Sequence, residues 1–304
     1  VDPANRRAFD QLYARFTGER RTFAAIAYET RDLMLRTALA SETNVLARAL
    51  NRISEQNRRT RDLTLSSLRH ALREVIANFP IYRTYIVCNG SEVPERDRRA
   101  IERAVRDAKR HNPAMDPSVF DFLRDVLLLR DDPALGEQEL AERCTFVMKF
   151  QQLTGPVMAK GVEDTAVYRW FPLAALNEVG GDPGTMGAPP DRLHAWAEDR
   201  AARHPLGMTA LTTHDTKRSE DVRARLLLLA ECPQEWAAFL EDLRALADPH
   251  RRPAPPVHPA DELLLWQTAL GAWPIDAERL SAYMVKALRE GKRRSRWTAP
   301  DTEY

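Results

Sequence analysis

The sequence predicts a mainly helical chain with a few parallel strands, part of a (β/α)8 barrel that carries large helical insertions. Three observations predict it. Apolar residues recur at helical spacing through most of the 304 residues. Only two stretches, 79–87 and 209–213, read as strands, whereas a whole barrel needs eight. The second runs straight into His214-Asp215-Thr216-Lys217-Arg218 ahead of a helix. A polar cluster at the carboxyl end of a strand is where an α/β barrel places its chemistry.

Phe9, Leu12, Tyr13 and Phe16 make the first apolar face, which Thr17-Gly18 ends. Phe23, Ile26, Ala27, Leu33, Leu35 and Leu39 continue the pattern, followed by Val45, Leu46, Ala49, Leu50 and Ile53. A polar link at 58–62 offers Thr60 or Asp62 as caps before a helix with Leu63, Leu65, Leu68, Leu72, Val75 and Ile76 inward. The 79–87 stretch is β-branched and aromatic, with Pro80 at its start and Asn89-Gly90 as the turn after it. Arg83 and Tyr85 within it fill an interior or touch substrate.

A charged helix is expected over 94–109, and another from Asp116-Pro117-Ser118 to Asp131-Asp132-Pro133. A longer one over 138–152 should run into Leu153-Thr154-Gly155-Pro156. Residues 154–170 mix glycine, charge and aromatics, the composition of a site-bearing loop or of a short helix bounded by loops. Irregular ground continues to Gly184, and Pro189-Pro190-Asp191 starts a helix carrying Leu193, Trp196 and Ala197.

Ser219 should cap a helix over 222–230, with Glu220 and Asp221 favoured in its first turn by the helix dipole. After Pro233 comes a helix with Trp236, Phe239, Leu240, Leu243 and Leu246, then a proline-rich link over 253–259. Helices over 261–271, with Leu264, Leu265 and Ala269 inward, and 276–290, with Gly291 as C-cap, complete the chain. The organisation expected is a helical insertion over 1–78, a partial barrel segment with helices and substrate loops over 79–218, a second helical insertion over 219–275, and a return to the barrel over 276–304.

Composition narrows the function. A formal net charge of +1 argues against a nucleic-acid binder, despite the basic run at 292–296 beside Trp297. Cys88, Cys144 and Cys232 are far apart and odd in number, which suggests neither a disulfide framework nor a zinc site and fits a reducing, cytoplasmic setting. No apolar run reaches membrane-spanning length. The seven histidines show no metal-ligand spacing, and neither a G-x-S-x-G turn nor a phosphate-binding loop occurs. By itself His214-Asp215 also reads as ordinary helix capping. A scaffold of helices without an active site therefore stays open.

Other segments change that balance. Gln152-Leu-Thr-Gly-Pro-Val-Met-Ala-Lys-Gly-Val-Glu-Asp-Thr-Ala-Val-Tyr-Arg169, Leu176-Asn-Glu-Val-Gly-Gly181 and Thr212-Thr-His-Asp-Thr-Lys-Arg-Ser-Glu-Asp221 resemble the maltooligosyltrehalose synthases of the α-amylase superfamily. So do Phe79-Pro-Ile-Tyr-Arg-Thr-Tyr85 and the closing stretch from Lys292 to Tyr304. The match corresponds to a central-to-C-terminal portion of the catalytic region. It implies an α-amylase-type barrel and conversion of the reducing-end α-1,4 linkage of a maltooligosaccharide into an α,α-1,1 linkage, by intramolecular transglycosylation with retention. By the resemblance Asp215 is the third carboxylate, gripping the hydroxyls of a distorted sugar, with His214 bonding the same ring.

A retaining mechanism also needs a nucleophile and an acid/base about 5–5.5 Å apart. Nothing in 1–207 resembles either motif, so both are expected upstream of Val1 in a longer protein, and this chain alone is expected to be inactive. Lys160 and Lys217 are candidates for holding the departing glucose, since each ammonium offers three donors, although Lys160 reads equally well as a surface lysine. Arg218, Tyr168 and Arg169 are weaker candidates that packing explains as well. The reaction calls for neither metal nor organic cofactor. A hydrolytic sibling of the same superfamily is the alternative enzyme.

Overall fold

A computed structural model describes residues 3–88, 92–130, 136–251 and 254–304. The Val1-Asp2 start, the Asn89-Gly90 turn, the Asp131-Asp132-Pro133 stop and Pro253 of the proline-rich link lie outside them. In chain order the helices are α1 (Arg6–Thr17), α2 (Phe23–Arg36), α3 (Ala40–Glu55), α4 (Leu65–Ala77), α5 (Glu95–His111) and α6 (Pro117–Leu127). They continue with α7 (Glu137–Val157), α8 (Pro190–Arg203), α9 (Glu220–Leu228), α10 (Pro233–Ala247), α11 (Pro259–Gly271) and α12 (Ala277–Gly291). The chain divides into two compact units, residues 27–162 and residues 1–26 with 163–304.

In the 27–162 unit α4 is the axis. Leu68, Ala71, Leu72 and Val75 on it are fully buried, and it packs on α3, α5, α6 and α7. Phe120, Phe146 and Phe150 complete this core, which supplies the dominant stabilisation of the unit. Thr64, rather than Thr60 or Asp62, caps α4, its hydroxyl accepting from the Ser67 amide at 3.2 Å.

The stretch at 79–87 is not a strand. Its backbone is held by side chains of two helices: the Tyr85 amide donates to Asp97 at 2.7 Å, and the Ile86 amide donates to Gln151 at 2.6 Å. The Gln151 amide returns a bond to the Ile86 carbonyl at 3.2 Å. Asp97 and Gln151 are buried, so they satisfy the backbone groups that a β-ladder would otherwise pair. Immediately after this stretch, Cys88 is joined to Cys144 of α7 in a disulfide, with Cα atoms 5.9 Å apart. The expectation of unpaired cysteines is corrected: residues 56 apart in sequence show no pairing in their spacing, and folding alone brings them into bonding geometry.

Helix α7 also runs further than expected, through Gly155 and Pro156, and continues as a π-helical turn at Met158–Glu163. Proline removes one helical N–H, and the wider π turn takes up the mismatch that follows. Gly161 in that turn is required by contact, because a Cβ there would meet the Arg31 Cα at 2.9 Å.

In the other unit Phe9, Tyr13 and Phe16 of α1 are buried, and Tyr13 stacks edge-on against Phe171, 6.0 Å between centroids. Gly18 ends α1 at φ 76, a left-handed cap suited to glycine. Helix α11 packs on α1, α9 and α12. Its inward residues are Leu263 and Leu264, whereas Leu265 and Ala269, expected inward, are only partly covered. The left-handed cap of α12 is Lys292 at φ 51, not Gly291. Gly291 stays helical and serves a close approach instead: a Cβ there would sit 3.2 Å from the Tyr168 carbonyl. Helix α8 has no buried residue, and Leu193 and Trp196 on it are exposed.

The stretch 209–213 is likewise neither a strand nor buried; Leu211 keeps 71 % of its surface exposed. A strand exists only through a paired neighbour, and among the described residues the sole β pairing is an isolated bridge between Arg296 and Ala299. No described helix is long and apolar enough to cross a membrane.

Candidate functional site

His214 and Asp215 project from a tight turn. The Thr216 hydroxyl donates to the Thr213 carbonyl at 2.7 Å and accepts from the Thr213 amide at 3.2 Å. The Asp215 amide donates to the Thr213 hydroxyl at 3.3 Å. With its own backbone so occupied, the turn presents both side chains to solvent, 90 % exposed for His214 and 72 % for Asp215. The imidazole Nε2 lies 3.4 Å from the Asp215 carboxylate. Ser219 then opens α9 in extended geometry, without a side-chain cap bond.

Lys217 and Arg218, between this turn and α9, point inward. The Lys217 ammonium donates to Asp164 at 3.1 Å and lies 5.8 Å from the centre of the Tyr168 ring. Arg218 donates to the Tyr283 hydroxyl at 3.2 Å. Lys286 of α12 donates to the Tyr168 hydroxyl at 3.1 Å. Burial pushes the Tyr168 phenol up to about 12; Tyr283 adds to the rise, while Lys217 and Arg218 oppose it. Tyr168 is thus a neutral ring that shields the amines of Lys217 and Lys286.

Arg169 is occupied elsewhere, donating to the carbonyls of Gly291 at 2.5 Å and Lys292 at 3.1 Å, and so ties its segment to the end of α12. Lys160 is exposed on the π-helical turn of the 27–162 unit. The structure thus brings together His214 with Asp215, and Lys217 with Arg218 and Tyr168. A small cleft beside Tyr168, no larger than a water molecule needs, is lined by Asp261, Ala287, Gly291, Ser295 and Tyr304, and neither His214 nor Asp215 borders it. Among the described residues no cluster of three or more His, Cys, Asp or Glu side chains is placed to hold a metal.

Sequence reasoning missed Glu178, Tyr283 and Lys286, and saw in Asp164 only an acid next to Glu163, not the partner of Lys217. Glu178 and Asp164 stand inside family-like segments, yet spacing gives no sign that they meet residues some 40 to 50 positions later. Chemically, an exposed carboxylate beside an imidazole offers acceptors and a ring N–H to hydroxyl groups.

No protein-family model matches the chain. A curated protein of Mycobacterium tuberculosis, described as a putative maltooligosyl trehalose synthase, is 41 % identical over 164 residues, 52 % of this chain and 20 % of that protein. The solved maltooligosyltrehalose synthase of Arthrobacter ramosus aligns over 99 % of this chain at 35 % identity and a TM-score of 0.79. This chain is homologous to maltooligosyltrehalose synthases. A hypothetical maltooligosyl trehalose synthase of Sulfolobus tokodaii, 25 % identical, aligns over 99 % of the chain at a TM-score of 0.72. The chain spans about a third of the length of either solved synthase, 35 % in each case, and a fifth of the curated one. It is therefore similar to a fragment of a synthase.

Proposed function

We propose that the chain is part of an enzyme that converts the reducing-end α-1,4 linkage of maltooligosaccharides into an α,α-1,1 linkage, leaving a trehalose end. The carrying observation is that the best-exposed acid–imidazole pair of the family-like segments, Asp215 with His214, stands on a turn fixed by its own hydrogen bonds. Asp215 would hold ring hydroxyls of a strained, oxocarbenium-like glucose, contacts that strengthen in the transition state. The nucleophile and the acid/base would come from the part of the synthase that this chain does not span, so this chain alone would not turn over substrate.

In this reading the protein has the α-amylase-type barrel, with 79–218 and 276–304 contributing to it and 1–78 and 219–275 inserted. Residues 209–213 would pair as a strand only beside barrel strands supplied by the remainder of the chain. Lys217, held at its post by Asp164, would keep the departing glucose in place while it turns, and Lys160 is proposed separately for the same task. Tyr168, Arg218 and Arg169 would support rather than touch substrate, given their protein partners. Two carboxyl groups suffice for glycosyl transfer, so the proposal includes no cofactor. The Cys88–Cys144 bond is of the kind that persists in oxidising compartments, so the cysteines do not favour a cytoplasmic setting.

The test is the full-length protein incubated with maltopentaose, products resolved by anion-exchange chromatography. Trehalose-ended product is expected, and Asp215→Asn should lower kcat on the order of 10²–10³-fold, the scale for one lost transition-state contact. Free glucose as the main product would overturn the synthase reading in favour of hydrolysis. Full activity in Asp215→Asn would remove the carboxylate from the mechanism.

A further inference from the structure

The turn that carries His214 and Asp215 is fastened on both flanks by one carboxylate–guanidinium pair. On the downstream side, Glu178 Oε1 accepts from the Lys217 amide at 2.8 Å, and Oε2 accepts from the Arg218 amide at a longer 3.4 Å. On the upstream side, Arg223 of α9 donates through Nη2 to the Leu211 carbonyl. The two halves meet where Arg223 Nη1 lies 3.3 Å from Glu178 Oε2. Glu178 is itself aimed by the Val179 amide, which donates to Oε1 at 2.9 Å. Both side chains are largely covered, 17 % exposed for Glu178 and 22 % for Arg223. The loop between Leu211 and Arg218 is otherwise exposed and unladdered. Besides the short-range bonds of the turn, the inward Lys217 and Arg218 side chains, and the Thr212 hydroxyl that donates to Glu220 of α9, this clasp is what holds its backbone.

We propose that Glu178 is the positioning residue of the Asp215 turn: through Arg223 and the 217–218 amides it fixes where the carboxylate and imidazole meet the sugar. The inference rests on the role proposed for Asp215. A carboxylate spanning two backbone amides and a guanidinium is a stiff, charge-assisted fastening. A reacting group displaced by about 1 Å loses on the order of 10²-fold in rate. Because an isomerase must keep its cleaved glucose from water, a loosened grip should show as leakage to hydrolysis as well as slower turnover.

The experiment uses the full-length enzyme with Glu178→Ala and Glu178→Gln, maltopentaose as substrate, and amide hydrogen exchange on the same samples. Glu178→Ala is expected to lower kcat by about tenfold or more, to raise the ratio of free glucose to trehalose ends, and to speed exchange at 211–218. Glu178→Gln keeps a carbonyl acceptor for the Lys217 amide but sets an NH2 donor against the Arg218 amide and Arg223, so it should recover only part of the lost kcat. The product ratio does not depend on how much enzyme is folded, so a purely structural role would leave it unmoved. An unchanged ratio in Glu178→Ala overturns the inference, even if exchange speeds up, and so does unchanged exchange. If Glu178→Ala does not fold, Arg223→Gln, which releases the Leu211 arm alone, carries the same two readouts. A wild-type enzyme that forms no trehalose ends overturns the proposed function and this inference together; an active wild type with an indifferent Glu178 overturns this inference alone.

Discussion

The Lys217 ammonium lies 3.1 Å from the Asp164 carboxylate, with 9 % of the lysine side chain and 30 % of the aspartate exposed. The ion pair is therefore largely shut off from water on the lysine side, which makes the loss of one partner more costly than the loss of both. Lys217→Met is expected to destabilise the protein by about 2–3 kcal/mol, below the fully buried range because Asp164 is partly wet. Asp164→Asn combined with Lys217→Met should recover about 1–2 kcal/mol relative to the sum of the singles. Urea unfolding of the four proteins measures the coupling, and strict additivity would exclude it.

The Cys88–Cys144 bond closes a loop with a sequence separation of 56 residues. Restricting an unfolded loop of that size is worth up to about 4 kcal/mol in the chain-entropy account. Dithiothreitol, or Cys88→Ala with Cys144→Ala, should lower the urea midpoint of the 27–162 unit by a corresponding amount. A thiol titration that finds three free cysteines in the untreated protein would refute the pairing.

Gly161 stands where a Cβ would press on the Arg31 backbone at 2.9 Å. A backbone atom cannot swing aside as a side-chain tip does, so Gly161→Ala should cost about 2 kcal/mol. A thermal melt of that variant checks the value. Gly136→Ala is the control, since its nearest neighbour is the flexible end of Glu139 at 3.9 Å.

His258 caps α11, its Nδ1 accepting from the Ala260 amide at 3.2 Å, so the ring is neutral with its proton on Nε2. Burial lowers its pKa below the ordinary 6.5, Arg293 lowers it further, and Asp261 opposes. The unfolded chain therefore takes up the proton first as the pH falls. Stability is complete above about pH 6.5 and drains as the pH drops through the lowered folded value. His258→Asn, which caps without titrating, should flatten that acid-side slope at a cost of no more than about 1 kcal/mol. Urea midpoints from pH 8 to pH 5 read the slope directly, and parallel curves for the two proteins would exclude His258 as its source.

The sequence by itself determined the helices. Phe9, Tyr13 and Phe16 on α1, or Leu68, Leu72 and Val75 on α4, lie on one face because a 3.6-residue period dictates it, and those faces are buried. It also singled out His214-Asp215, because a motif is local chemistry and survives whatever surrounds it. What it could not decide were the pairings that have no period. The 79–87 segment has strand composition, yet Asp97 and Gln151 took its backbone bonds. Strand propensity records a fit to a neighbouring strand, and the neighbour is chosen elsewhere in the chain. Cys88 found Cys144, Lys217 found Asp164, and Glu178 found Arg223 for the same reason. Charge and thiol partners meet at distances set by helix packing, and only the assembled core brings them within reach.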